Sequence, residues 1–296
     1  MILFGLAAAL LASALYNVGS ALQALDAREA PADEGLRLKL LGRLIRHRRW
    51  LAGMLLGGLG FPLQVLALAE APFVVVQPAL AAGLLLLLLI GNRLLGERVG
   101  GAELAAVLGI CGGIALLGWG APAHTEAVRA GGGAISVIVL FGVLALAPFA
   151  LRGGRFDFTS LVIVGSALGF GASNVATKLV SDGAASGHLL IAGIWIVVAA
   201  ATGVAATVTE MTALQRRPAT TVVPISFGLQ TFLPIVVEPF YLREDWGTAR
   251  AGGSLLLLGL VLIAAGSVAL ARTRSVSALV AGLDEAGSAA RLRQTT

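Results

Sequence analysis

Residues 67–78 read Ala-Leu-Ala-Glu-Ala-Pro-Phe-Val-Val-Val-Gln-Pro, and residues 213–224 read Ala-Leu-Gln-Arg-Arg-Pro-Ala-Thr-Thr-Val-Val-Pro. Five residue types recur at one spacing: Ala67, Leu68, Pro72, Val76 and Pro78, then Ala213, Leu214, Pro218, Val222 and Pro224. The displacement of 146 residues also pairs Gly57 with Gly203 and Gln64 with Glu210. A displacement of 157 pairs Asn17-Val18 with Asn174-Val175. Each copy joins two apolar runs, so the chain reads as two related halves of a helical membrane protein. Two related bundles rocking about a shared site are the simplest way to build alternating access.

Composition agrees with a lipid solvent. Hydrophobic residues make up 57% of the 296 and charged residues 12%, against about 25% charged in soluble domains, and the mean hydropathy is +0.91. The net charge of +5 lies between apolar runs rather than on a soluble face, which argues against nucleic acid as a partner. Cys111 is the one cysteine and sits in an apolar run, so it reads as a packing residue. His47, His124 and His188 are far apart in sequence, which disfavours zinc. The N-terminus lacks the basic n-region of a signal peptide, and the Asn17 segment has its mate at Asn174. A retained first helix is expected.

About 20 apolar residues are needed per crossing. That rule gives nine spans, at 2–23, 51–70, 73–93, 102–120, 133–151, 159–180, 189–212, 219–240 and 252–271. Alternate loops divide Lys and Arg into 17 on one side and 3 on the other, with Lys178 inside a span. The positive-inside rule then places the N-terminus outside and the C-terminus in the cytoplasm of the inner (plasma) membrane. The expected fold is all-α and polytopic, a 4+1+4 inverted repeat. Residues 1–120 form the first four-helix repeat, 121–157 the connector helix, 158–271 the second, inverted repeat, and 272–296 a disordered cytoplasmic tail. The loop 24–49 holds seven Lys/Arg and reads equally as a basic amphipathic helix on the inner leaflet or as a solvated linker.

Polar side chains inside spans need a partner or a wet cavity. Ser13, Asn17, Ser20 and Gln23 share one helical face; Ser173, Asn174, Thr177 and Lys178 form the matching stripe in the second half. Gly203, Thr207 and Glu210 align, as do Gln230, Pro234 and Glu238. The expected solute path is Asn17, Gln64, Asn174, Lys178, Glu210, Gln230 and Glu238. For Asn17 and Asn174, interhelical hydrogen bonding is an equal reading. Glu210 is the expected titrating or cation-binding group, and Glu210 and Glu238 are the metal ligands if Mg²⁺ is carried. Gly53-x3-Gly57, Gly109-x3-Gly113 and Gly165-x3-Gly169 read as generic close packing. Pro62, Pro148 and Pro234 are expected to kink their helices.

The order of motifs resembles the drug/metabolite transporter superfamily, and within it the NIPA branch of magnesium transporters. The resemblance rests on Trp50, on Ala67 through Pro78, on Leu94-Leu95-Gly96-Glu97-Arg98, and on Ala213-Leu214 through Val222-Val223-Pro224 to Arg243-Glu244-Asp245. It implies a nine-helix membrane transporter. Where that branch carries Glu in the second helix, this chain has Phe61 and Pro62, with Gln64 beyond. No Gly-x4-Gly-Lys-Ser/Thr is present, so an ion or solute gradient would supply the energy. The expected function is secondary transport of a small metabolite or drug-like solute. Mg²⁺ transport is the alternative within transport, and a non-transporting membrane scaffold the alternative outside it. Neither an enzymatic activity nor a cofactor is expected. The expected partners are a small solute or ion and the lipid bilayer, with a homodimer left open.

Overall fold

The computed structural model describes residues 2–71, 73–120, 132–151, 158–185, 187–241 and 250–272. Among these there is no strand. The helices are α1 (Ile2–Glu29), α2 (Leu38–Leu44), α3 (Arg48–Glu70), α4 (Phe73–Arg93), α5 (Gly101–Gly120), α6 (Gly132–Ala145), α7 (Ala147–Ala150), α8 (Phe158–Ala185), α9 (Leu189–Leu214), α10 (Ala219–Tyr241) and α11 (Ser254–Arg272). Five of them, α1, α5, α8, α9 and α11, contain stretches long and apolar enough to cross a membrane. A helix satisfies its own backbone hydrogen bonds, which is what a segment in hydrocarbon requires. The surface fits the same solvent. Leu190, Ile194 and Val197 form an exposed apolar stripe along α9 and are 82%, 57% and 68% exposed. The chain is a helical membrane protein.

All nine apolar stretches read from the sequence are helical, with two adjustments. The first helix runs on to Glu29, because Ala21, Ala24 and Ala27 are buried and give its last turns an apolar face. The fifth breaks at Leu146 into α6 and the short α7, where Pro148 lacks the N–H that would continue the ladder.

The two halves pack alike. α1 lies along α3 and beside α4, and α8 lies along α9 and beside α10. The α1–α3 seam is closed by glycine: a Cβ on Gly53 would stand 2.6 Å from the Gly19 carbonyl oxygen, and one on Gly19 would stand 2.7 Å from that of Gly53. On the α8–α9 seam, a Cβ on Gly169 would lie 2.9 Å from that of Ala206. α6 covers α8, with Phe141, Ala145, Leu168 and Ala172 in one cluster. A third seam joins the halves, where α5 runs against α11. A Cβ on Gly113 would meet the Gly259 carbonyl at 2.7 Å, one on Gly259 the Gly113 carbonyl at 2.8 Å, and one on Gly266 the Ala106 carbonyl at 2.7 Å. The close contacts belong to single glycines rather than to the Gly-x3-Gly spacing. Gly53 and Gly113 each touch a neighbouring backbone, while Gly57 faces open space and Gly109 only a distant carbonyl.

Candidate functional site

The end of the bundle where α1 and α9 finish and α3 and α10 begin is a dense polar cluster. It is called the basic end below, after its Arg and Lys residues. Helix N-termini leave N–H groups unpaired, and here two of them are served by carboxylates from other helices. Asp26, buried at the end of α1, accepts from the Trp50 N–H at 2.7 Å, in the first turn of α3. Glu97, buried in the α4–α5 turn, accepts from the Ala219 N–H at 2.8 Å and the Thr220 N–H at 2.9 Å, the first two of α10. Glu97 also accepts from the Thr220 hydroxyl and pairs with Arg28. Gly96 sits at φ +63, a left-handed turn that glycine adopts without strain and that carries the chain from α4 to Glu97. One carboxylate thus ties α1, the α4–α5 turn and α10 together.

The segment 30–47 is a strap over the same end. It is neither a free linker nor a helix lying apart from the bundle. α2 buries Leu40 and Leu44, and Leu36 before it is buried too. All three share one core with Trp50, Met211 and Leu214. The Leu36 N–H donates to Thr212 Oγ1 at 2.9 Å, and the Gln215 amide donates to the Pro31 carbonyl at 3.1 Å. Trp50 Nε1 donates to Met211 Sδ at 3.4 Å. Leu36 has φ 55, a left-handed conformation that costs a leucine about 1–3 kcal/mol and persists only where the surroundings impose it.

Within the strap, Arg43 donates to both carboxylate oxygens of Glu34, each at 2.7 Å, and Lys39 stands 3.3 Å away. The Arg43 hydrogen bonds, helped by Lys39, hold the Glu34 carboxyl down from 4.5 to about 2. A lowered carboxyl pKa contributes stability that is fully present above pH 4.5 and is lost as pH falls towards 2. The thermal midpoint of the purified protein is therefore expected to carry a Glu34-dependent drop in that window. Glu34→Gln should start lower at pH 6 and lack that component. Parallel pH curves for the two proteins would contradict the clasp.

The residues expected to line a path are scattered. Asn17 is buried against Gly83 of α4. Its amide donates to the Ser13 carbonyl at 2.8 Å, and its Oδ1 has no partner among the described residues. Ser13 in turn donates to the Leu80 carbonyl. Gln64 accepts from the Tyr16 hydroxyl at 2.8 Å. Asn174 is exposed on α8, although its sequence mate Asn17 is buried. Gln230 is half-buried. Glu210 is half-buried near the basic end of α9, with no bonded partner among the described residues. A Cβ on Gly203, two turns back on the same face, would stand 3.3 Å from Ser173 Oγ of α8. Gly203 thus lies at the α8–α9 seam, and the Thr207 hydroxyl donates back to the Gly203 carbonyl at 2.9 Å. The side chains of Lys178 and Glu238 lie outside the described residues, as do Arg243-Glu244-Asp245 and the tail 273–296. Among the described side chains, none of the set is bonded to another.

Sequence reasoning did not single out Tyr16, Asp26, Thr212 or Gln215. Tyr16 had a signal: it sits beside Asn17 on a helix already marked by polar residues. Glu97 was noted only as part of a motif. Its role needs the α4–α5 turn to meet α10, across 122 residues of chain.

The far end of the bundle is organised differently. Ala8, Ala9, Ala12, Ala67, Ala71, Val76, Ala79 and Leu80 form a cluster drawn from α1, α3 and α4 alone. Ile138, Ala176 and Leu179 form another with Trp195 and Val198, drawn from α6, α8 and α9 alone. Among the described residues, the halves share a core at the basic end and along α5–α11, and keep separate cores at the far end. No family model, curated protein or solved structure matches this chain.

Proposed function

We propose that the chain is a secondary transporter of the drug/metabolite type, carrying a small solute across the inner (plasma) membrane by alternating access. Its nine spans are α1, α3, α4, α5, α6 with α7, α8, α9, α10 and α11, in a 4+1+4 inverted repeat. The observation that carries this reading is the recurrence of one packing scheme in two halves that are joined at one end and separate at the other. Two bundles whose cores merge at one end and along one seam can rock as bodies about that seam, and α5–α11 supplies it. A scaffold has no use for two related bundles. Asn17 with its unpartnered Oδ1, the Tyr16–Gln64 pair, Asn174, Gln230 and Glu210 supply the polar groups of the path, with Lys178 and Glu238 on the same helices. The 17-to-3 division of Lys and Arg puts the basic end in the cytoplasm.

Two measurements test this. Purified protein in liposomes, screened with a metabolite panel and Mg²⁺ with and without a pH gradient, is expected to accumulate at least one solute above protein-free liposomes. A protein that binds no solute and moves none is a scaffold. In a Cys111→Ala background, an impermeant maleimide applied to intact cells should label His188→Cys and spare Arg46→Cys. Both positions are exposed on the protein, so equal labelling would reverse or dissolve the topology.

A further inference from the structure

Resting on the transporter reading, we propose that this structure is the state closed at the basic end, and that the strap 30–47 and the Glu97 cluster are the gate that keeps it closed. In an inverted repeat the contacts of α1 with α9 and α10 have mates, those of α8 with α3 and α4. α1 does reach α9 and α10, at the end where Ala24, Ala27, Met211 and Leu214 share a core. Among the described residues α8 makes no comparable contact with α3 or α4. The far-end cores stay within their own halves. The symmetry is broken in one direction, as it must be in any single state of a rocking carrier.

The strap has no counterpart in the second half. α1 and α3 are separated by residues 30–47, whereas α8 and α9 are separated only by 186–188. The extra chain belongs to one end alone. Its bonds also suit a part that releases. Opening the basic end separates Leu36 from Thr212, Pro31 from Gln215, Trp50 from Met211, and Glu97 from the first turn of α10. Each is a polar contact that water can replace once the end is open, so no group is left buried and unpaired. Release also frees Leu36 from its left-handed conformation. The Leu36, Leu40 and Leu44 face, with Ala24, Ala27 and Trp50, must then leave Met211 and Leu214.

Two cysteine reporters in the Cys111→Ala background test the gate without measuring transport. Leu214→Cys lies in the basic-end core, where Leu214 is 1% exposed; Asn174→Cys lies exposed on α8 in the other half. N-ethylmaleimide should label the first slowly and the second readily. Glu97→Gln keeps the side chain's size but removes its charge. It should speed labelling of the Leu214→Cys reporter on the order of tenfold, the shift expected from losing a charge-assisted hydrogen bond. Labelling of the Asn174→Cys reporter should fall in step. Thr212→Val removes the strap's acceptor with little change of shape and should act in the same direction, and it decides the matter if Glu97→Gln does not fold. If folded latch variants leave both rates at parental values, the cluster is a static staple and the gate is wrong. If the reporters respond reciprocally but the liposomes move no solute, the gate stands and the transport reading falls.

Discussion

Gly113→Leu is expected to abolish the folded protein, while Gly112→Ala, one residue earlier, is expected to cost nothing. A Cβ on Gly113 would lie 2.7 Å from the Gly259 carbonyl oxygen and 3.0 Å from the Ile263 nitrogen, both backbone atoms that no rotamer change can move. A Cβ on Gly112 meets nothing within 4 Å. Gly113→Ala alone should lower stability by about 1–3 kcal/mol, the usual penalty of overpacking. Gly112→Ala should gain about 0.5–1 kcal/mol from reduced chain entropy in a helix. A leucine at Gly113 must force α5 and α11 apart along the seam on which both halves depend. Thermal midpoints in detergent, with the monodisperse fraction on gel filtration, separate the cases. Equal behaviour of the two glycines would mean that the α5–α11 seam is not closed as described.

Glu210→Gln is expected to abolish gradient-driven accumulation while leaving expression and folding near normal. The repeat puts a neutral amide, Gln64, at the position matched by this acid. Gln64 is occupied by the Tyr16 hydroxyl at 2.8 Å, whereas Glu210 has no bonded partner among the described residues. An acid without a bonded partner inside an apolar helix is a group that a gradient-coupled carrier could use to sense a proton or cation. Glutamine keeps the size and removes the charge, so downhill exchange should survive. If uptake by Glu210→Gln keeps the parental rate and pH dependence, the carboxylate is structural and the assignment is wrong.

Helix positions were legible because length and hydropathy decide them. A run such as Leu84 through Ile90 has no other stable form in lipid. The break at Pro148 and the entry at Pro218 follow from proline's missing N–H. The helix-to-helix chemistry was less legible. Asp26 and Glu97 look like ordinary loop acids, and only the fold brings them to the first turns of α3 and α10. The strap's Leu36, Leu40 and Leu44 are as consistent with a bilayer surface as with a core. Alternation shows that a face is apolar and not what covers it. Asn17 and Asn174 match in sequence yet differ in burial, because Asn17 packs against Gly83 of α4 while Asn174 lies on an uncovered face of α8, and residue type does not say what covers a face.

Alternating access itself is tested most directly by counterflow. Proteoliposomes preloaded with a transported solute are diluted into a trace of the same solute, labelled, with no imposed gradient of ions. A transient overshoot of label inside is expected, because the unlabelled solute inside occupies the carrier and slows the exit of label until the two pools mix. Gly113→Ala should reduce the overshoot in proportion to the folded protein it leaves. Label that only equilibrates, at a rate independent of the unlabelled solute inside, would contradict a two-state carrier built from these two halves.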